Sequence, residues 1–532
     1  MTRTPSIALV LAGLASIAPT QTACEGSGTA AYLTTTPAIV GGQLVMNMGS
    51  PAAPNGIGLL LWGNDAGPSI PFCLDTSQFF VSLLAVFDAA GNAQFHLGVA
   101  SNLFPFTLHA KALVLENVTW SLSKTVRVSA EYADSWHEVP AMAQARSLHT
   151  ATAIERNAAD NQTGVIVIGG ATGNLIAPTA LATTERFDAI TRTWSAGPTM
   201  SVARCQHAVA RTINNNLLVT GGMTNAPGST GGPATAQCEL YVPPANVFVP
   251  FAAMTQARMG HAMTALPNGR FFVAGGFADW TNAGPNFVAD LNTARNTTEI
   301  YDPVAGAWAA GPQMASARAG HTQTLLPNGK ILICGGVNGG QSILAGGFQL
   351  IYVPTFTASC ELYDPATNTL TSTNPLGLAR GFHQASLLPS GDVLVTGGAA
   401  SIGFYGEGQA TNDCTVFHPA TNSWTSTAAL PTAVAFHTQT QDQNGNAILV
   451  GGFIGNFASL QGTAQVVRHD GVTATALALI ATHPSLVQPA LAIGTHAAAR
   501  MHDGTLLVTG GFELALFTSG QPTARSLLYI AP

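Results

Sequence analysis

Seven times in the 532-residue chain a short apolar run closes on a pair of glycines. The runs are VIVIGG, LLVTGG, FFVAGG, ILICGG, VLVTGG, AILVGG and LLVTGG. They end at Gly169-Gly170, Gly221-Gly222, Gly275-Gly276, Gly335-Gly336, Gly397-Gly398, Gly451-Gly452 and Gly510-Gly511. Successive first glycines lie 52, 54, 60, 62, 54 and 59 residues apart. A period of that length marks a chain assembled from stacked units, because one unit cannot bury both faces of its own sheet.

Other signals keep the same beat. His149, His207, His261, His321, His383, His437 and His496 precede the pairs by 14 to 20 residues. Pro-Asn-Gly at 267–269 and 327–329, and Ser-Gly-Asp at 390–392, read as tight turns between a first and a second strand. After each glycine pair comes a variable loop, then a strand ending in an aromatic and a turn, as in Glu299-Ile-Tyr-Asp-Pro303 and Glu361-Leu-Tyr-Asp-Pro365. Trp194, Trp308 and Trp424 follow in the next strand. Each unit is therefore expected to be a four-stranded meander, with its first two strands buried on both faces and the glycines letting backbone approach closely. The last unit supplies three strands only. Ser135-Trp-His-Glu-Val-Pro-Ala-Met142 mirrors Ala307-Trp-Ala-Ala-Gly-Pro-Gln-Met314, so residues 134–142 are expected to complete the last unit and close a ring.

These residues resemble the kelch repeat from about residue 132 to residue 532. The resemblance implies an all-β fold, a seven-bladed kelch-type β-propeller over 129–532. Residues 24–128 lack the repeat and read as short strands at 43–48, 57–62, 79–87, 93–99, 107–115 and 124–128, which suits a small β-sandwich domain. That part resembles a module found at the N-terminus of exported planctomycete-type proteins, through its patterns around 83–97 and 103–115. The resemblance carries no activity.

Residues 1–23 read as a signal peptide: Arg3, an apolar core at 7–18, and Ala23 before a cleavage point. Twelve apolar residues are too few for a lasting anchor, and no later run reaches 18, so no membrane span is expected. The expected destination is exported: periplasmic, cell-surface or extracellular. A lipoprotein anchored through Cys24 is the second reading, disfavoured by Gln21. Of the seven cysteines, Cys24 with Cys73 and Cys334 with Cys360 are the candidate disulfides, and the others read as small buried hydrophobes. Charge is scarce: 19 Lys+Arg and 26 Asp+Glu make 8% of the chain, against roughly 25% in an ordinary domain. That excludes charge-driven disorder and a nucleic-acid partner held through its phosphates.

The seven histidines occupy one place in every unit, so they ring an axis and read as scaffold, each imidazole bonding loop backbone. Arg146, Arg204, Arg258, Arg318 and Arg380 stand three residues before the first five histidines; Val434 and Ile493 replace them in the last two units. Glu185, Glu239, Glu299 and Glu361 open the third strand of units one to four, where the last three units carry Thr415, Val467 and Leu527. The parallel loss predicts buried Glu–Arg pairs, made within a blade or to the next. Galactose-oxidase-type copper enzymes share a seven-bladed architecture, but their site needs two tyrosines, two histidines and a Cys able to crosslink to one Tyr, and a diagnostic Tyr-His dipeptide is absent from this sequence. Here only Phe382-His383 and Phe436-His437 come near. No catalytic residue, metal or cofactor is therefore expected, copper entering only under the oxidase alternative.

What varies is the loop between the second and third strands, longest at 277–298 and 337–359. Trp280, Phe287, Phe348, Tyr352, Phe356, Phe404, Tyr405, Phe457 and Phe517 lie on these loops and are the candidate binding residues. The expected function is a non-catalytic binding or scaffolding module recognising a protein or glycan on one propeller face. The alternatives are a degenerate copper carbohydrate oxidase relative and a structural cell-surface component.

Overall fold

The computed structural model describes residues 135–154, 164–173, 178–189, 191–225, 233–278, 291–345, 349–400, 408–455, 461–477, 493–501, 504–513 and 521–530, and ahead of these the backbone of strands between 22 and 131. Among the described residues no helix is long and apolar enough to cross a membrane.

Among the described residues the repeat builds seven four-stranded antiparallel sheets. Blade three shows the pattern: Ala262–Ala265, Phe271–Ala274, Thr298–Asp302 and Ala307–Ala310 pair in that order. The Pro-Asn-Gly turn works as expected. Gly269 takes a left-handed φ of 79° and donates its N–H to the Leu266 carbonyl at 3.0 Å, a conformation glycine reaches without steric penalty. The first strands touch in a closed cycle, running Thr150–Ile154, Ala208–Arg211, Ala262–Ala265, Thr322–Leu325, Gln384–Leu387, Thr438–Gln441, Ala497–Arg500 and back to the start. A cycle of sheets joined through their innermost strands is a propeller.

The seventh sheet uses both ends of this stretch of chain. Ser135–Val139 pairs antiparallel with Ser526–Ile530, and Trp136 faces Tyr529 with ring centroids 4.7 Å apart. Trp136 is fully buried. Ser135–Val139 is thus the fourth strand of this sheet.

Burial differs between the first two strands, and here one expectation fails. The second strand is buried at every position in all seven blades. The first strand is only half-buried over most of its length, with small or polar residues such as Gln323, Gln384, Thr438 and Gln441. It lines the axis instead of being sandwiched. The apolar core lies between blades: Phe272 of blade three stacks on Tyr363 of blade four at 3.9 Å. Each apolar cluster likewise joins the facing strands of neighbouring blades.

Before the propeller, Gln43–Gly49, Ile57–Gly63, Phe80–Val86, Asn92–Gly98, Phe106–Glu116 and Val126–Glu131 form close to their expected places. They belong to a six-stranded and a three-stranded sheet. The strands on either side of 88–92 lie in different sheets. Cys24 and Cys73 fall outside the described residues.

Closure through Trp136 gives a stability prediction. Trp136→Ala should cost about 3–5 kcal/mol in denaturant unfolding, clearly more than truncation of the half-buried Trp194. Removing residues 1–145 should lower the melting temperature markedly; an unchanged value would refute the closure.

Candidate functional site

Three rings of equivalent residues surround the axis. The outermost is ionic. Arg146–Glu185, Arg204–Glu239, Arg258–Glu299 and Arg318–Glu361 are ion pairs of 2.8, 2.9, 2.7 and 2.8 Å, and each Arg side chain is completely buried. All four lie within a blade, which resolves the alternative left open by the sequence. Each guanidinium also donates to the carbonyl of its own blade's first glycine, at 2.7 or 2.8 Å. Each carboxylate accepts backbone N–H groups of the link arriving from the preceding blade, as Glu185 does from Ala143 and Gln144. Burial lowers the guanidinium pKa of Arg146, Arg204 and Arg258, and the paired carboxylate opposes it. In blade five, where Thr415 replaces Glu, Arg380 pairs with Asp413 two residues earlier.

The second ring is the histidines, all buried. Each sits with its Cβ against its own blade's second glycine and its Cε1 over the preceding blade's first glycine. A Cβ at Gly170 would stand 2.7 Å from His149 Cβ, and one at Gly169 3.2 Å from His207 Cε1. The imidazoles do not bond loop backbone as expected. Their Nε2 atoms take threonine hydroxyls of the preceding blade: His149 with Thr509 and His261 with Thr220 at 2.9 Å, His207 with Thr150 at 3.0 Å. His383 with Thr322, His437 with Thr396 and His496 with Thr438 complete six of the seven, at 3.0, 2.9 and 2.8 Å.

The threonine occupies one of two facing positions, the start of strand one or the end of strand two. The register pairs are Thr150↔Ile168, Ala208↔Thr220, Thr322↔Cys334, Gln384↔Thr396, Thr438↔Val450 and Ala497↔Thr509. One threonine per pair suffices. Blade three has Ala262↔Ala274, and His321, which faces that blade, has no partner on either ring nitrogen among the described residues.

The third ring forms the axial mouth. Leu148, Gln206, Gly260, Gly320, Phe382, Phe436 and Thr495 each precede a histidine, and all seven adopt φ between 53° and 59°. Gln206 donates its N–H to the Leu148 carbonyl at 3.1 Å, Gly260 to Gln206 at 2.9 Å, Gly320 to Gly260 at 2.9 Å and Phe382 to Gly320 at 2.8 Å. Phe436 donates to Phe382 at 3.1 Å, Thr495 to Phe436 at 3.4 Å and Leu148 back to Thr495 at 3.1 Å. The hydrogen bonds form a closed circle.

On this uniform backbone the side chains do not repeat. Phe382 lies over Gly320, where a Cβ would come within 2.5 Å of its ring. Phe436 stacks on Phe382 with centroids 4.2 Å apart and planes at 19°. At Gly260 the nearest atom to an added Cβ is 3.6 Å away. Both phenylalanines are half-buried.

The loop ribbons follow directly from the second glycines, on the same face as the mouth; Val337–Ala345 paired with Gln349–Phe356 is the longest among the described residues. They rest on an apolar layer that includes Met223, Met259, Phe277, Val337 and Ala435. Phe356 belongs to that layer. It is 8% exposed, with its ring against Gly381, so it packs its own loop and does not present itself for contact. Tyr352 lies on the returning strand of the same ribbon. Trp280, Phe287, Phe348, Phe404, Tyr405, Phe457 and Phe517 are outside the described residues. The mouth itself escaped the sequence reading, although its signal was there: a variable residue beside a constant histidine.

Copper does not fit the described residues. No three His, Cys, Asp or Glu side chains among them converge as metal ligands. At Phe382-His383 and Phe436-His437 the phenyl rings offer no donor, and the imidazole Nε2 atoms are held by Thr322 and Thr396.

No family model matches the chain. The yeast Saccharomyces cerevisiae tRNA wybutosine-synthesizing protein 4 is 26% identical over 340 residues, 61% of this chain and 42% of that protein. The chain thus spans less than half the length of this curated relative. Among solved structures, a fungal alcohol oxidase of the AA5 family in complex with copper superposes with a TM-score of 0.50 at 15% identity. It covers 75% of this chain and 76% of its own. YjhT matches with a TM-score of 0.45 and 15% identity, over 64% of this chain and 99% of its own. Together with the ring of sheets, the oxidase likeness defines the class: an all-β β-propeller of galactose-oxidase-like fold.

Two predictions follow the histidine ring. Burial holds these imidazoles neutral, with pKa near 3 for His207, His383, His437 and His496, and the Arg204 and Arg380 charges add to the effect at the first two. The unfolded chain binds these protons below about pH 6.5. Stability is therefore fully present above that pH and falls as pH drops toward 3, by roughly 1.4 kcal/mol per pH unit for each histidine. Urea midpoints should decline steeply from about pH 6.5 downward, and a flat profile would contradict neutral burial. Ala274→Thr should give His321 the hydroxyl its six counterparts have and raise stability by about 0.5–1.5 kcal/mol; a loss would mean the hydroxyl cannot reach the ring.

Proposed function

We propose that the chain is a non-catalytic binding module that recognises a protein or glycan with the face carrying the axial mouth and the loop ribbons. The observation that carries this reading is the break of the repeat at the mouth. Seven positions share one backbone conformation and one hydrogen-bond circle, yet hold Leu, Gln, Gly, Gly, Phe, Phe and Thr. Half-exposed rings at Phe382 and Phe436, stacked on each other, stand beside the open position at Gly260 and put apolar groups next to a recess. Such a surface suits the face of a sugar ring or an apolar side chain.

The oxidase alternative lacks ligands among the described residues. The yeast relative's name concerns tRNA, but 19 Lys+Arg in 532 residues offer no basic face for phosphates. Export rests on residues 1–23 alone and is part of the proposal. The loop aromatics outside the described residues would extend the contact surface around the mouth.

The test is binding of the full chain to a panel of glycans and surface proteins, repeated with Phe382→Ser, Phe436→Ser and a chain shortened within 337–359. Loss of a buried contact anchor costs about 2 kcal/mol, so the serine variants should bind roughly 30-fold more weakly. Val304→Ser, on an exposed turn between the third and fourth strands, should bind normally. Unchanged binding by both Phe variants and the shortened chain would show that this face is not the recognition surface. Absence of any ligand, with the fold intact, would favour a structural surface component.

A further inference from the structure

We infer that Cys334 and Cys360 are the two halves of a cross-strand disulfide, made while blade four folds and sealed from solvent once its neighbours close on it. Cys334 ends the second strand of the blade and Cys360 opens the third, and they are register partners. The neighbouring pair carries the backbone bond, Gly335 N–H donating to the Ser359 carbonyl at 3.1 Å. The cysteines therefore occupy a non-hydrogen-bonded pair, where antiparallel Cα atoms come to about 4.5 Å, inside the range of about 4.4–6.8 Å that a disulfide bridges. In the structure the thiols are unjoined, the Cys360 thiol donates to the Ala358 carbonyl at 3.7 Å, and both residues are 1% exposed.

The other blades show what is unusual here. At the same two positions Thr220 faces Cys238, Thr396 faces Cys414 and Thr509 faces Ser526. In those blades the threonine hydroxyl holds the next blade's histidine. Blade four assigns that task to Thr322, which holds His383, and so frees position 334 for a second sulfur. Cys238 and Cys414 have no sulfur opposite them. The bond would cross the base of the 337–359 insertion, tying together the two strands from which the longest ribbon rises. It stands independently of what that ribbon binds.

The oxidant is an external disulfide, of a small thiol or of a thiol–disulfide oxidoreductase. One cysteine thiolate attacks a sulfur of that disulfide and expels one thiolate, leaving a mixed disulfide. The second cysteine thiolate then attacks the protein-side sulfur and expels the other. Two protein thiols lose two protons and two electrons, and one external disulfide becomes two thiols. After folding, burial pushes the Cys334 thiol well above its ordinary pKa and no reagent reaches it. The exchange belongs to the folding chain.

The assay reads one peptide. No Lys or Arg lies between Lys330 and Arg380, so trypsin leaves both cysteines in residues 331–380. Full chain is unfolded with reductant and refolded either with reductant or with mixed reduced and oxidised glutathione. It is then unfolded in excess alkylating reagent, digested and weighed; chain secreted by an export-competent host is treated alike, so that a refolding failure does not leave the question open. In glutathione-refolded and secreted protein the peptide should carry no alkyl group and weigh two hydrogens less than its reduced form, and the linked protein should melt higher. Reduced protein, once folded, should resist the same glutathione mixture. Alkylation of both cysteines after oxidative folding, a bond from either to another cysteine, or equal melting of the two forms would overturn the inference.

Discussion

The closeness of one blade to the next governs this protein, and the second glycine of each pair sets it. Gly170 donates its N–H to the carbonyl of Arg204 in the following blade at 2.9 Å, and Gly222, Gly276 and Gly336 do the same to Arg258, Arg318 and Arg380. Both glycines of each pair take left-handed φ, 55–64° at the first and 92–112° at the second. A side chain would meet strain as well as backbone atoms there. The histidine of the next blade then covers the first glycine, so the seam is built of a missing side chain and a flat ring. Everything nearer the axis, including the mouth, inherits its position from that seam.

A fully buried arginine is costly unless every donor is met. Here the terminal guanidinium nitrogens reach a glycine carbonyl, a second carbonyl on the entry to strand three and a carboxylate that also caps the incoming link, while the Nε of Arg146, Arg258 and Arg318 is left without a partner among the described residues. The last two blades show the other solution to the same space. Val434 and Val467 share one apolar cluster, and Ile493 and Leu527 share another. The charge pair is exchanged as a unit for an apolar pair, as expected if half a pair is worse than either whole. Blade five, with Arg380 and Thr415, keeps its cation by moving the anion to Asp413.

Local and periodic features could be read directly from the residues. The Pro-Asn-Gly turns, the seven buried second strands and the closing strand around Trp136 depend on short-range pattern or on a repeat that names its own missing piece. Contacts between blades could not be read. Whether Arg146 meets Glu185 or a neighbour's carboxylate depends on blade rotation, and the single irregular partner, Asp413, sits two residues off the register that the other four suggest. The histidine partner was hidden for the same reason: threonine alternates between positions such as Thr150 and Thr220, which only strand pairing shows to be adjacent. The loop aromatics misled in one described case, since Phe356 lies beneath its ribbon and not on it.

The mouth remains the place where scaffold and side chain part company. Left-handed φ costs a residue with a Cβ about 1–2 kcal/mol, and glycine relieves it. The chain uses glycine at 260 and 320, which demonstrates that the hydrogen-bond circle closes without side chains. At the other five positions it carries Leu148, Gln206, Phe382, Phe436 and Thr495 in the same conformation. Stacking of Phe382 on Gly320 and of Phe436 on Phe382 recovers part of the strain on one side only. Gln206 has no such stack, and its side-chain oxygen stands 3.6 Å from where a Cβ at Gly260 would lie. A scaffold under no other demand would set glycine at all seven positions. Strain held at one unequal ring, inside a structure otherwise repeated with care, supports recognition at the axis, with the ribbons as its rim.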